Sequence, residues 1–69
     1  MGDTYKMITL VGTSKESYED AIKGAIKDAA DSVRNLNWFE VKELRGRLDD
    51  GKVAEFQAKV MIGFKVEGS

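Results

Sequence analysis

The clearest hydrophobic pattern lies near the C-terminus, where apolar and polar residues alternate. Apolar side chains occupy every even position from Ala54 to Val66, and most of the odd positions between them are polar. A period of two predicts a β-strand with one buried face. The segment Asp49-Asp50-Gly51-Lys52 precedes this strand. Its Asp-Gly pair readily adopts the positive φ angles of a tight hairpin turn, so a second strand is expected before it.

Two further segments are predicted to be strands. Residues Thr4–Val11 are rich in β-branched and aromatic types and are followed by Gly12, which is expected to end the strand. Residues Leu36–Leu48 also read as extended, but their apolar residues change parity in the middle of the segment. A phase slip of this kind predicts a β-bulge, either at Gly46 or within residues 43–45.

The segment between these two strands predicts one amphipathic helix. Thr13 is the expected N-cap, because Glu16 follows it at the spacing of a capping box. Asn35 or Asn37 is the expected C-terminal stop after Arg34, since asparagine tolerates the left-handed conformation. The apolar residues recur every three or four positions and form one stripe: Tyr18, Ala21, Ile22, Ala25, Ile26, Ala29, Ala30 and Val33.

The order of these elements predicts an α+β fold. We expect a single β-α-β-β domain over residues 1–69, with a three-stranded antiparallel sheet wrapped around one helix. The second and third strands would extend for more than about 40 Å, whereas a helix of about 20 residues covers only about 30 Å. A core this small also needs further support, and the chain has no Cys or His for a disulfide or a metal staple. Self-association is therefore predicted.

Composition excludes several classes of function. The absence of Cys and His rules out a zinc finger, a Ser-His-Asp triad and a cysteine nucleophile. No pair of carboxylates is spaced for acid–base catalysis, so an enzyme is not expected. With 11 basic and 12 acidic residues, the net charge of −1 provides no basic surface for nucleic acid. Apolar runs are too short for a membrane span or signal segment, so a cytoplasmic protein is expected.

Three residues are candidates for ligand binding. Trp38, the sole Trp, has the parity opposite to Phe39, so it is expected on the sheet face away from the helix. It could fill an oligomer contact or stack on a planar ligand. Gln57 could read the polar edge of a heterocycle, or be an ordinary solvated amide. Arg45 could hold a phosphate, or be a charge on a strand edge.

The sequence resembles the dodecin family of small flavin-binding proteins. The resemblance covers nearly the whole chain. It rests on residues 5–12 with the junction Leu10-Val11-Gly12-Thr13-Ser14, the Ala-rich helix, Asn37-Trp38-Phe39-Glu40-Val41, Arg45-Gly46, Phe56-Gln57, and residues 60–67 with Gly63-Phe64.

This resemblance implies a flavin store. It implies a homododecameric shell of β-α-β-β subunits in which pairs of flavins, FMN or riboflavin, lie between subunits. Trp38 would stack on the isoalloxazine ring and quench its photochemistry, Gln57 would hydrogen-bond the polar edge of the ring, and Arg45 would hold the phosphate. Some members also bind coenzyme A. Where those members often have Phe-Arg, this chain has Phe64-Lys65, which keeps the charge but loses the bidentate fork.

Two other classes of function are compatible with the residues. A structural or partner-binding βαββ oligomerisation module without flavin would explain the apolar strand faces and leave flavin fluorescence unchanged. A flavoenzyme would need an open substrate position beside the bound ring, and two stacked flavins leave little room for one.

Overall fold

The computed structural model describes residues 2–68 and contains the elements in the predicted order. They are β1 (Tyr5–Ser14), α1 (Tyr18–Ser32), β2 (Leu36–Asp49) and β3 (Lys52–Lys65). The strands form one antiparallel sheet in the order β1-β3-β2, so that β3 is central. The predicted α+β fold is confirmed. Asp50 and Gly51 have φ angles of 52° and 74°, which confirms the hairpin turn.

The predicted start of the helix is wrong. Thr13 pairs with Gln57 in the sheet, so it lies within β1 and does not cap the helix. Ser17 is the N-cap, and its Oγ accepts a hydrogen bond from the Asp20 backbone N–H at 3.0 Å. The helix therefore begins later than the capping-box spacing predicts. The backbone as far as Ser14 pairs with β3, so its polar groups have partners in the sheet instead of in a helix.

Gly12 does not end the first strand. It is buried in β1, and a Cβ atom built at Gly12 would collide with the carbonyl oxygen of Ala21 in the helix. Gly12 thus allows close contact between α1 and β1, and this contact explains a glycine inside the strand.

The end of the helix also differs from the prediction. The last helical residue is Ser32, and the N–H of the C-cap Val33 donates to the Ala29 carbonyl at 2.8 Å. Asn35 has a φ of 64°, so the expected left-handed asparagine lies in the turn that leads into β2. Asn37 has no such role, because it lies within β2.

The sheet contains more irregularities than predicted. The register between β2 and β3 shifts at three places: between Leu36 and Trp38, between Val41 and Glu43, and between Arg47 and Leu48. The central shift leaves Lys42 as the extra residue, one position before the predicted segment. As a result Val41 pairs with Val60 and Leu44 with Ala58, so both apolar side chains face the helix side.

The core is small and covers only part of the sheet. It consists of one alanine face of the helix on three residues of β3: Ala21, Ala25, Ala29, Ala58, Val60 and Ile62. Strand β2 stays largely exposed, and its apolar residues Phe39, Leu44 and Leu48 are 48%, 52% and 68% exposed. The 15-residue helix spans about 22 Å, against about 45 Å for a 14-residue strand.

Within residues 2–68, the helix is not long and apolar enough to cross a membrane.

Candidate functional site

The candidate residues lie on the sheet face opposite the helix, which we call the outer face. Side chains alternate between the two faces of a strand, and β3 buries Ala58, Val60 and Ile62 against the helix. Gln57 and Gly63 therefore belong to the outer face. Trp38 pairs with Gly63, and Arg45 pairs with Gln57. All three predicted ligand-binding residues are on this face, as expected for Trp38.

Trp38 lies flat enough over Gly63 to exclude any side chain there. A Cβ atom at Gly63 would meet the six-membered part of the indole at 2.5 Å. The ring of Tyr5 contacts Trp38 edge-on, with centroids 5.1 Å apart and an interplanar angle of 62°. Trp38 is nonetheless 41% exposed. The indole is thus supported by Gly63 and Tyr5 and keeps exposed surface for stacking.

Gln57 lies in a chain of hydrogen bonds on the outer face. Its Oε1 accepts from the Arg45 Nε–H at 2.8 Å, and its Nε2 donates to Glu55 Oε1 at 2.8 Å. Arg45 Nη1 also donates to Glu43 Oε1 at 3.2 Å, which is an ion pair. The structure therefore brings Gln57 and Arg45 together, and neither is an isolated surface residue.

Trp38 is not part of this cluster within one chain. Trp38 is opposite Gly63 and Arg45 is opposite Gln57, so six residues of β3 separate the two positions. At about 3.3 Å per residue this is about 20 Å. A three-ring heterocycle stacked on Trp38 does not reach Gln57 of the same chain.

Within residues 2–68, the cavity beside Trp38 and the cavity near the end of the helix do not bring the three candidates together either. A groove of about 140 Å³ touches Trp38 and is lined otherwise by Ile26, Leu36, Asn37, Phe39 and Ile62. This is smaller than the roughly 300 Å³ or more that is usual for a ligand pocket. A larger cavity of about 490 Å³ lies near the end of the helix and includes Lys6, Arg34 and Lys65, but none of the three candidates.

A second groove runs along one side of α1, next to Phe39 of β2. It has a volume of about 420 Å³ and is lined by Glu19, Ile22, Lys23, Ile26 and Phe39. Lys23 Nζ lies 2.8 Å from Glu19 Oε2. This hydrogen bond lowers the pKa of the Glu19 carboxyl and raises the pKa of the Lys23 ammonium, so both remain charged near neutral pH. The charged pair borders an apolar floor.

Sequence reasoning missed the residues that support the candidates. Gly63 and Tyr5 position Trp38, and Glu55 and Glu43 bind Gln57 and Arg45. Gly63 left a signal, because a glycine inside an alternating strand indicates close approach of another group. For Glu43 and Glu55 the sequence gives no indication of this role beyond their parity, because carboxylates are common on the surface of strands.

Comparison with known proteins gives consistent matches over nearly the whole chain. The family model described as Dodecin matches residues 4–67. A dodecin of Thermus thermophilus is 46% identical over 67 residues, which are 97% of this chain and 97% of that protein. A crystal structure of a T. thermophilus protein superposes with a TM-score of 0.93 at 44% identity, covering 99% of this chain and 100% of that one.

A more distant relative carries the name of a metal. The calcium dodecin of Mycobacterium tuberculosis is 32% identical over 62 residues, covering 90% of this chain and 87% of that protein. Among residues 2–68 of the present chain, no group of three or more Asp, Glu, His or Cys side chains is arranged to hold a metal ion.

Proposed function

Because the chain belongs to the dodecin family, we propose that it binds, stores and sequesters a flavin, FMN or riboflavin. The proposed protein is a single flavin-binding domain over residues 1–69 that assembles into a homododecameric shell in the cytoplasm. It holds the flavin without turning it over, so it is not an enzyme. A bound flavin supplies a photoactive and redox-active ring. The side chains of the protein bind and orient this ring and quench its excited state.

The observation that carries this proposal is the setting of Trp38. Its indole rests on Gly63 and forms an edge-type contact with Tyr5, and the residue is 41% exposed. A supported aromatic plane that keeps exposed surface is what stacking on an isoalloxazine ring requires. Trp38 in such contact would quench the excited ring by electron transfer, which is a protective role rather than a catalytic one.

The Gln57 cluster fits the other end of a flavin. After its two hydrogen bonds within the chain, the amide keeps one N–H on Nε2 and one lone pair on Oε1. This pair of groups is complementary to an imide edge, which offers a carbonyl oxygen and an N–H side by side. Arg45 adjoins this edge through its hydrogen bond to Gln57 and is proposed as the third residue of the binding site.

The distance between Trp38 and Gln57 supports a site shared between chains. Because about 20 Å separate them along one strand, a single ring would contact Trp38 of one chain and Gln57 of another. The incompletely covered sheet gives each chain a reason to associate. Binding and assembly are therefore parts of the same proposal.

The side chains near the site support storage rather than catalysis. The two carboxylates of the cluster, Glu43 and Glu55, already accept hydrogen bonds from Arg45 and Gln57.

Coenzyme A is a weaker candidate ligand than flavin in this proposal. Lys65 Nζ lies 3.3 Å from Asp3 Oδ1, so the charge that would bind coenzyme A is already paired.

The second candidate function is a structural or partner-binding oligomerisation module without flavin. The observation that favours it is the exposed apolar side of β2, with Phe39, Val41, Leu44 and Leu48. This surface needs a protein partner whether or not a flavin is present. The two candidates differ in their effect on flavin emission.

A fluorescence titration of FMN with the full-length protein tests the proposal. We expect strong quenching that saturates near one flavin per chain. Trp38→Ala should weaken binding by about five- to 150-fold, because loss of one stacking contact costs about 1 to 3 kcal/mol. Trp38→Phe keeps an aromatic plane and should lie between the two. Unchanged FMN emission with the parent protein would favour the flavin-free module, and equal affinity for parent and Trp38→Ala would refute stacking.

A further inference from the structure

The hydrogen bonds of Gln57 fix which way its amide points. The Arg45 Nε–H can only donate, so the atom it meets at 2.8 Å must be the amide oxygen. The Glu55 carboxylate can only accept, so the atom it meets at 2.8 Å must be the amide nitrogen. Two neighbours of opposite character thus select the same one of the two possible orientations.

Arg45 is itself held in place by a second contact. Its Nη1 lies 3.2 Å from Glu43 Oε1, so the guanidinium is tied to Glu43 on its own strand and to Gln57 on the next. A guanidinium that is already paired with a carboxylate attracts a phosphate less strongly, because the carboxylate offsets its positive charge. Its shortest bond is to the amide.

We propose that Arg45 is a positioning residue that acts through Gln57. Arg45 and Glu55 hold the amide so that it presents one acceptor and one donor in a fixed order to the imide edge of the flavin. This inference rests on the proposed flavin binding and adds to it that ring recognition, and not phosphate recognition, depends on Arg45. Without Arg45 only the bond to Glu55 orients the amide, so the amide presents the correct order less often.

Riboflavin and FMN separate the two roles of Arg45, since they share the ring and differ in the phosphate. We expect Arg45→Met to weaken binding of both flavins by the same factor, about three- to tenfold, the value of a typical hydrogen bond. Loss confined to FMN would show that Arg45 holds the phosphate and would overturn the proposal. So would unchanged affinity for both. Arg47→Met is the matched control, because it removes the same charge from the same strand and should leave both affinities unchanged.

A double substitution tests whether the effect passes through the amide. Arg45→Met should cost nothing further in a Gln57→Leu background, whereas independent contributions would multiply and overturn the proposal. Parent protein should also prefer riboflavin over riboflavin methylated at the imide nitrogen, and Arg45→Met should reduce that preference.

A second variant keeps the inference testable if Arg45→Met does not assemble. Glu55→Leu removes the other bond that orients the amide and leaves Arg45 intact. It should reduce the same preference for unmethylated riboflavin, and an unchanged preference would overturn the proposal. Should the parent protein bind neither flavin, the proposed function fails. Should the parent bind both while these variants behave like it, only the role of Arg45 fails.

Discussion

The position of Trp38 depends on two small features of its neighbours. The register shift between Leu36 and Trp38 leaves Asn37 as an extra residue, so Leu36 faces the helix while Trp38 reaches the outer face two positions later. Gly63 then provides the flat backbone on which the indole lies. The orientation of one aromatic side chain is thus set by a bulge on its own strand and a glycine on the next.

Replacing Gly63 with Ala tests this dependence. The added methyl group would meet the Trp38 ring at 2.5 Å, so the indole must move. We expect a loss of about 1 to 3 kcal/mol in the free energy of unfolding, as for other overpacked sites, together with weaker FMN quenching. Gly24→Ala is the control, because nothing lies within 4 Å of a Cβ there and the helix should gain up to about 1 kcal/mol. Unaltered quenching by Gly63→Ala would contradict the role given to Gly63.

At the scale of elements, the structure shows where local sequence signals compete with sheet pairing. The type and order of all four elements were predictable, because periodicity indicates α1 and β3 while residue composition and the Asp-Gly turn indicate β1 and β2. The start of the helix was not, because Thr13-Ser14-Lys15-Glu16 has a plausible capping pattern, yet Thr13 and Ser14 pair with Gln57 and Phe56 of β3. Those partners lie more than 40 positions away in the chain. Local spacing carries no information about them.

Ser14 connects β1 to the helix and offers a test at this scale. It is buried, its Oγ accepts from the Glu16 N–H at 2.9 Å, and it donates to Asp20 Oδ2 at 2.8 Å. Ser14→Ala leaves these groups without their partner, so we expect a loss of about 1 to 2 kcal/mol in thermal or chemical denaturation. The exposed Ser32→Ala at the other end of the helix should have little effect. Equal stability of both variants at equal protein concentration would contradict this role.

At the scale of the whole molecule, the sequence identified the candidate residues but not their arrangement. The parity of each residue correctly placed Trp38 on the face away from the helix. Parity says nothing of the distance along the strands, and the register places Trp38 six rungs from the Gln57–Arg45 cluster. Length and composition predict self-association, whereas the proposal that one ring would contact two chains rests on the register.

The last prediction links assembly to binding through a residue on the face of the sheet opposite to Trp38 and Gln57. Leu44 pairs with Ala58 on the helix side of β2 and is 52% exposed. Because an unpaired charge is costly in an apolar contact, Leu44→Asp should lower the mass measured by sedimentation. If the flavin site is shared between chains, FMN quenching should be lost with it, although Trp38, Gln57 and Arg45 are intact. Leu44→Met should preserve both. A dissociated Leu44→Asp protein that still quenches FMN fully would mean that one chain suffices for binding, and an assembled one would mean that chains associate through another surface.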